Sequence, residues 1–188
     1  MPRIPRNERV DPRFPERWSP RSYAPRPVPA LDLAALFEAA RWAPSASNEQ
    51  PWLFVYADAE PGLSALRGVV NDTNRQWAGR APVLVLAFAR RHNQGNGKPN
   101  RWAAFDTGAA WMSLALQARA LGLACHAMGG FSVEEAHRVT GLPAEEYEAL
   151  CAIAVGYAAP VEELPEAFRS REVPNDRKDP AEVARRLP

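Results

Sequence analysis

The spacing of apolar positions changes several times along the chain, and each change marks an element. From Leu31 the positions Leu33, Leu36, Phe37 and Ala40 follow one face of a helix. Pro44 stops it, because the residue before a proline avoids the α region. A polar loop, residues 45–50, precedes the short β-rich run WLFVY at 52–56. Residues 63–70 predict a short helix and residues 71–74 a polar turn. Continuous Val and Leu content over 82–88 predicts a strand buried on both faces. HNQGNGKPN at 92–100 reads as a solvated loop. Residues 102–121 are apolar nearly all round, which predicts an interior helix with Gly122 as its C-cap. Strands are expected at 123–127 and 150–157. Between them Ser132 and Glu135 form an S-x-x-E capping box for a helix ending near Gly141.

Both ends depart from this regularity. Residues 1–29 hold eight of the 19 prolines and seven arginines, a composition that excludes a regular helix or a central strand. Beyond Pro160 the chain is again rich in proline and charge. The expected architecture is therefore α+β: one domain over 1–188, with an N-terminal arm (1–29) and a C-terminal arm (160–188). Two long arms on a compact core suit an intertwined homodimer, each arm lying on the partner; frayed tails would have the same composition.

Charge and composition narrow the partners. A net charge of +1 gives no global basic field for nucleic acid or an anionic membrane. The apolar stretch 103–124 is interrupted by Asp106, Gln117 and Arg119, unlike a membrane span. The N-terminal arm lacks the apolar core of a signal peptide. Cys125 and Cys151 sit in apolar surroundings without metal or redox spacing and read as reduced thiols, which places the protein in the cytoplasm.

No phosphate-loop, nucleophile-elbow or metalloprotease motif is present, and His92, His126 and His137 lack metal-ligand spacing. Four polar segments remain. In Arg17-Trp18-Ser19-Pro20-Arg21, alternate residues of an extended chain point one way, so Arg17, Ser19 and Arg21 present two guanidinium forks and a hydroxyl together. A solvated basic tail has the same composition. Residues 43–52, APSASNEQPW, set short hydrogen-bonding groups beside apolar surface, as planar heterocycles require; turn chemistry alone would also use them. Asn74 and Gln76 carry amides able to meet a donor–acceptor edge. In His126-Ala127-Met128-Gly129-Gly130-Phe131, paired glycines between strand and helix let a backbone approach a ligand, or simply form a tight turn.

Together these segments have a specific order. R-x-S-x-R, then A-P-S-A-x-N-x-Q-P-W, N-x-Q-W-A before an apolar strand, D-x-G-A-A on a long helix and G-L-x-x-H-x-M-G-G-F resemble the FMN-dependent nitroreductase family over about residues 17–183. The resemblance implies a nitroreductase-like fold: a central, mostly antiparallel sheet flanked by helices, in a homodimer holding two FMN molecules at its interface. It assigns Arg17, Trp18, Ser19 and Arg21 to the FMN phosphate and ribityl chain, with Arg21 alternatively near the flavin N1/O2 edge. Pro44, Ser45 and Asn48 would come from the partner subunit, Asn74 would meet the pyrimidine edge, and Met128, Gly129 and Gly130 would lie along the ring. Arg177 and Lys178 would complete the phosphate site, with Arg169 and Arg171 as the competing pair. Many family members carry Glu where this chain has Gly129. The implied activity is a ping-pong transfer of hydride from NADH or NADPH, through flavin N5, to a small electron-poor acceptor such as a nitroaromatic or quinone. No protein acid or base is required. The same scaffold would serve a flavin reductase, an enone or aldehyde reductase, or a non-catalytic FMN-storage protein.

Overall fold

The apolar runs assemble into one antiparallel sheet. The computed structural model describes residues 3–187. Among them β1 (Trp52–Ala57), β2 (Val83–Arg90), β3 (Ala124–Met128) and β4 (Tyr147–Gly156) lie in the order β1-β2-β4-β3. β2 is central, and its alternation explains its unbroken apolar sequence. Val83, Val85 and Ala87 pack into one cluster, while Leu84, Leu86 and Phe88 pack into the other. In chain order the helices are α1 (Arg13–Glu16), α2 (Ala30–Arg41), α3 (Gly62–Val69), α4 (Asp72–Ala78), α5 (Ala103–Ala120), α6 (Val133–Thr140), α7 (Glu166–Arg169) and α8 (Pro180–Val183). Leu33, Leu36 and Ala40 of α2 and Ala110, Leu114 and Ala118 of α5 bury the first face. Residues of α3, α4 and α6 cover the second.

Several expectations need correction. Residues 71–74 are not a free turn but the start of α4: Asn71 Oδ1 accepts from the Asn74 N–H and caps the helix. β4 begins at Tyr147, because Glu148 and Ala149 pair with Ala89 and Phe88 beyond a bulge in the ladder. Of the capping box on α6, only the Ser132 half forms, with its Oγ accepting from the Glu135 N–H at 3.1 Å. The arms contain the short helices α1, α7 and α8. α5 is buried on one face only; Phe105, 74% exposed, and Trp102 point away from the sheet, and Trp42 at the α2 C-terminus is exposed as well.

Both arms lie against their own core. The Ala24 N–H donates to Tyr157 O and the Ala159 N–H to Ser22 O, a bridge that holds residues 22–24 along the chain after β4. Tyr23 is buried and its hydroxyl donates to Ala154 O. Gly156 allows this approach: a Cβ there would stand 2.6 Å from Cδ of Pro82 and 3.1 Å from the Tyr23 ring. Glu172 of the C-terminal arm accepts from the Arg21 and Ser22 N–H groups, and Arg6 pairs with Asp179, joining the two arms.

Candidate functional site

Where the two arms meet beside α5 and β3 they enclose two adjoining cavities, of about 600 and 440 Å³. Both volumes lie within the range of small-molecule sites. Arg3, Arg17, Ser19 and Arg177 line both and mark the junction. The smaller cavity is faced by five arginines (Arg3, Arg17, Arg21, Arg171 and Arg177), and among the described residues no carboxylate lines it. The larger has an apolar floor, Trp111, Met112 and Ala115 of α5, and a basic rim that includes Lys178.

The R-x-S-x-R segment has no regular secondary structure and bends at Arg21, and Arg17, Ser19 and Arg21 all line the smaller cavity, together with Trp18. Arg17 Nη1 donates to Ser19 Oγ at 3.4 Å. Burial and then the Arg177 guanidinium lower the Arg17 pKa from its usual value, as two cations share a partly dehydrated space. Arg21 is held by Glu172 through its backbone N–H and a 4.0 Å ion pair, while its guanidinium stands 5.8 Å from the Trp77 ring. Trp77, buried on α4, stacks on His126 at 4.5 Å. The His126 Nδ1–H donates to Pro20 O at 2.9 Å, because a carbonyl can only accept. Burial pushes the His126 pKa down to about 4, with Arg21 and Arg17 adding to the effect, so the ring is neutral at pH 7.

Asn74 and the paired glycines come together. Gly130 O accepts from the Asn71 N–H at 3.1 Å and from Asn74 Nδ2 at 3.3 Å. A Cβ on Gly130 would collide with both asparagine amides, so this glycine is required by packing against α4. Gly129 faces open space, and Met128 is buried in the core at the end of β3. Trp18 and Ser19 line the smaller cavity.

Pro44, Ser45 and Asn48 do not reach either cavity. Their loop lies at the other end of α5, where the Ala46 N–H donates to the buried Asp106 carboxylate at 3.0 Å. It is strained: Ser47, Asn48 and Gln50 have φ of 52°, 57° and 46°, three non-glycine residues in the left-handed region. Ser45 Oγ accepts from the Gln50 N–H and helps hold that shape. Of the competing basic pairs, Arg177 and Lys178 line the larger cavity. Arg171 reaches the smaller one. Arg169 is spent on Leu164 O and Glu162 O of its own arm.

Three residues here have no site role assigned from the sequence. His126 carries one signal, a titratable side chain on an otherwise apolar strand. Asp106 carries another, a carboxylate within an apolar helix. Arg3 has none, being one arginine among seven in a proline-rich arm.

Known proteins share this fold. A solved structure described as an oxidoreductase containing FMN is 38% identical, with a TM-score of 0.92 over 97% of this chain and 93% of its own. A protein of Desulfovibrio desulfuricans, provisionally named a nitroreductase and solved with FMN, shares the fold: 24% identity, TM-score 0.74, 94% and 95% coverage. A Streptomyces coelicolor protein, provisionally named NADH dehydrogenase/NAD(P)H nitroreductase, is 35% identical over 50% of this chain. The matched stretch spans 46% of that relative, under half its length. The nitroreductase family model matches residues 15–73 and 60–157, a span that holds the R-x-S-x-R segment, the strained loop, Asn74 and the paired glycines. The chain belongs to the nitroreductase family.

Proposed function

We propose that the chain binds FMN and acts, as a cytoplasmic homodimer, as an oxidoreductase that takes hydride from NADH or NADPH and delivers it to a small electron-poor acceptor. The observation that carries this is the smaller cavity, with five arginines and no carboxylate in its lining. Like charges gathered at a partly buried place repel one another unless an anion joins them. The phosphate of a mononucleotide suits them, since guanidinium forks match its oxygens. The buried Nε of Arg3, which has no hydrogen-bond partner among the described residues, fits the same need.

FMN, when bound, supplies the hydride-accepting and hydride-donating centre, so the protein needs no acid or base of its own. Arg17, Ser19, Arg177 and Lys178 would hold the phosphate end, with Arg171 beside them. Arg21 would set positive charge near the ring, where it favours the reduced form. His126, neutral and braced by Trp77, offers a hydrogen-bonding nitrogen without adding to the basic charge. Asn74, fixed by Gly130, would meet the polar edge of the ring, with Trp18, Met128 and Gly129 close by. The strained loop with Pro44, Ser45 and Asn48 would reach the ligand from the partner subunit. The exposed apolar residues Trp42, Trp102 and Phe105 support such a dimer, because faces of that kind mark interfaces.

The test is the visible spectrum of the purified protein, reconstituted with FMN and then mixed anaerobically with NADH or NADPH. A bound-flavin spectrum that bleaches on mixing is expected. No FMN uptake would overturn the proposal, and uptake without bleaching would leave a flavin carrier in place of an enzyme. Replacing Arg17 and Arg21 together by Ala is expected to leave the protein colourless.

A further inference from the structure

The N-terminal segment 3–15 lies almost wholly ahead of the region matched by the family model, yet it walls the site. Ile4, Val10 and Phe14 face the larger cavity opposite Trp111 and Met112. Arg3 stands at the junction of the two cavities. Its guanidinium donates to Arg17 O and, at 3.5 Å, to Asn175 O, so it ties the strap to both arms. Its Nε is buried and has no hydrogen-bond partner among the described residues. Burial, then Arg177 and Arg17, lower its pKa from the usual value, and the opposing pull of Asp176 is the weakest of the influences on it. Three guanidinium groups thus converge on one place, with one donor left over.

We propose that Arg3 is a further phosphate-binding residue of this site, delivered by a strap of residues 3–15 that closes over the phosphate end of the ligand. A phosphate monoester carries close to two negative charges at neutral pH and three acceptor oxygens. It would offset the repulsion among Arg3, Arg17 and Arg177 and give Arg3 Nε an acceptor. Ile4, Val10 and Phe14 of the strap give the adjoining larger cavity an apolar wall, which limits water at the junction where Arg3 stands. The assignment rests on FMN filling the cavity as proposed above, and its test separates the two ideas.

Dissociation constants for FMN and for riboflavin, which lacks the phosphate, are measured on wild type, Arg3→Ala and Arg3→Lys. A hydrogen bond to a charged group implies a loss of roughly tenfold to a hundredfold in FMN affinity for Arg3→Ala. Riboflavin affinity should not change, and Arg3→Lys should recover part of the loss, as a point charge without the planar fork. Equal weakening for both flavins would make Arg3 a packing residue and overturn the proposal, as would no change in either. If the wild type takes up no flavin at all, a melting-temperature titration with inorganic phosphate decides. Stabilisation that disappears in Arg3→Ala keeps the anion role of Arg3 while FMN falls; no stabilisation, or one that survives in the variant, removes the role too.

Discussion

His126 illustrates how much a single side chain can couple here. It fastens β3 to the R-x-S-x-R segment through Pro20, supports Trp77 and lines the smaller cavity beside Arg17 and Arg21. Its folded-state pKa lies at about 4, below the ordinary 6.5. Between those values the unfolded chain takes up a proton that the folded chain refuses, so stability falls as pH drops through that window and levels off below it. The full penalty approaches ~3 kcal/mol. Melting at pH 7 and pH 5 should therefore show a larger loss for wild type than for His126→Gln. An equal loss in both would mean that His126 is not the group responsible. Gly130→Ala should cost about 1–2 kcal/mol, because the added methyl displaces Asn71, the cap of α4, together with Asn74; thermal melts and FMN affinity should fall together. Residues like Gly130 were legible from sequence because a motif frames them. His126 stands in the same motif, but its role was not legible, nor was that of Arg3, since both arise from contacts made only on folding, with Pro20 and with Arg17 and Asn175.

The existence and type of α2, β2 and α5 were legible because each carries enough apolar surface to dominate its local sequence, although α5 is buried on one face and not all round as its composition predicts. α4 was hidden because only Trp77 and Ala78 of its seven residues are buried, and the rest is polar. The loop at 45–50 was visible as composition, but its left-handed backbone was not, since Ser47 and Gln50 have no intrinsic preference for it. Asp106 holds that conformation through the Ala46 N–H. Asp106→Ala should lower stability by about 1–3 kcal/mol, by leaving that N–H without its partner. It should also weaken FMN binding, although residue 106 lines neither cavity. Retained affinity with the loop's amide exchange unchanged would show that Asp106 does not hold it. At the junction of β2 and β4, Gly156→Ala forces a methyl against the Pro82 ring and should cost about 1–3 kcal/mol in a denaturant melt.

For the molecule as a whole, the unpaired face of α5 and the C-terminus of α2 set the expectation of a dimer. Phe105→Asp should halve the mass seen by sedimentation and, with it, remove FMN binding, since the proposed site needs both subunits. A monomeric variant that still bound FMN at wild-type affinity would place the entire site within one chain. The two clusters were foreshadowed by the unbroken apolar content of β2, which predicts burial on both faces, whereas the strand order was not. The mutual clasp of the arms was not, because proline-rich segments carry no periodicity from which to infer a docking face.

That clasp has a kinetic consequence. Arg6 and Asp179 are 173 positions apart, so the walls of the cavity rest on almost the longest loop closure the chain can make. Contacts of such separation form late, after the locally connected strands have already paired. The cavity should therefore be the last part of the protein to acquire its shape and the first to lose it. In native-state hydrogen exchange, β2 and β4 should open only with global unfolding. Residues 3–24 and 160–180 should exchange sooner, until an anion bound between them slows them to the pace of the sheet.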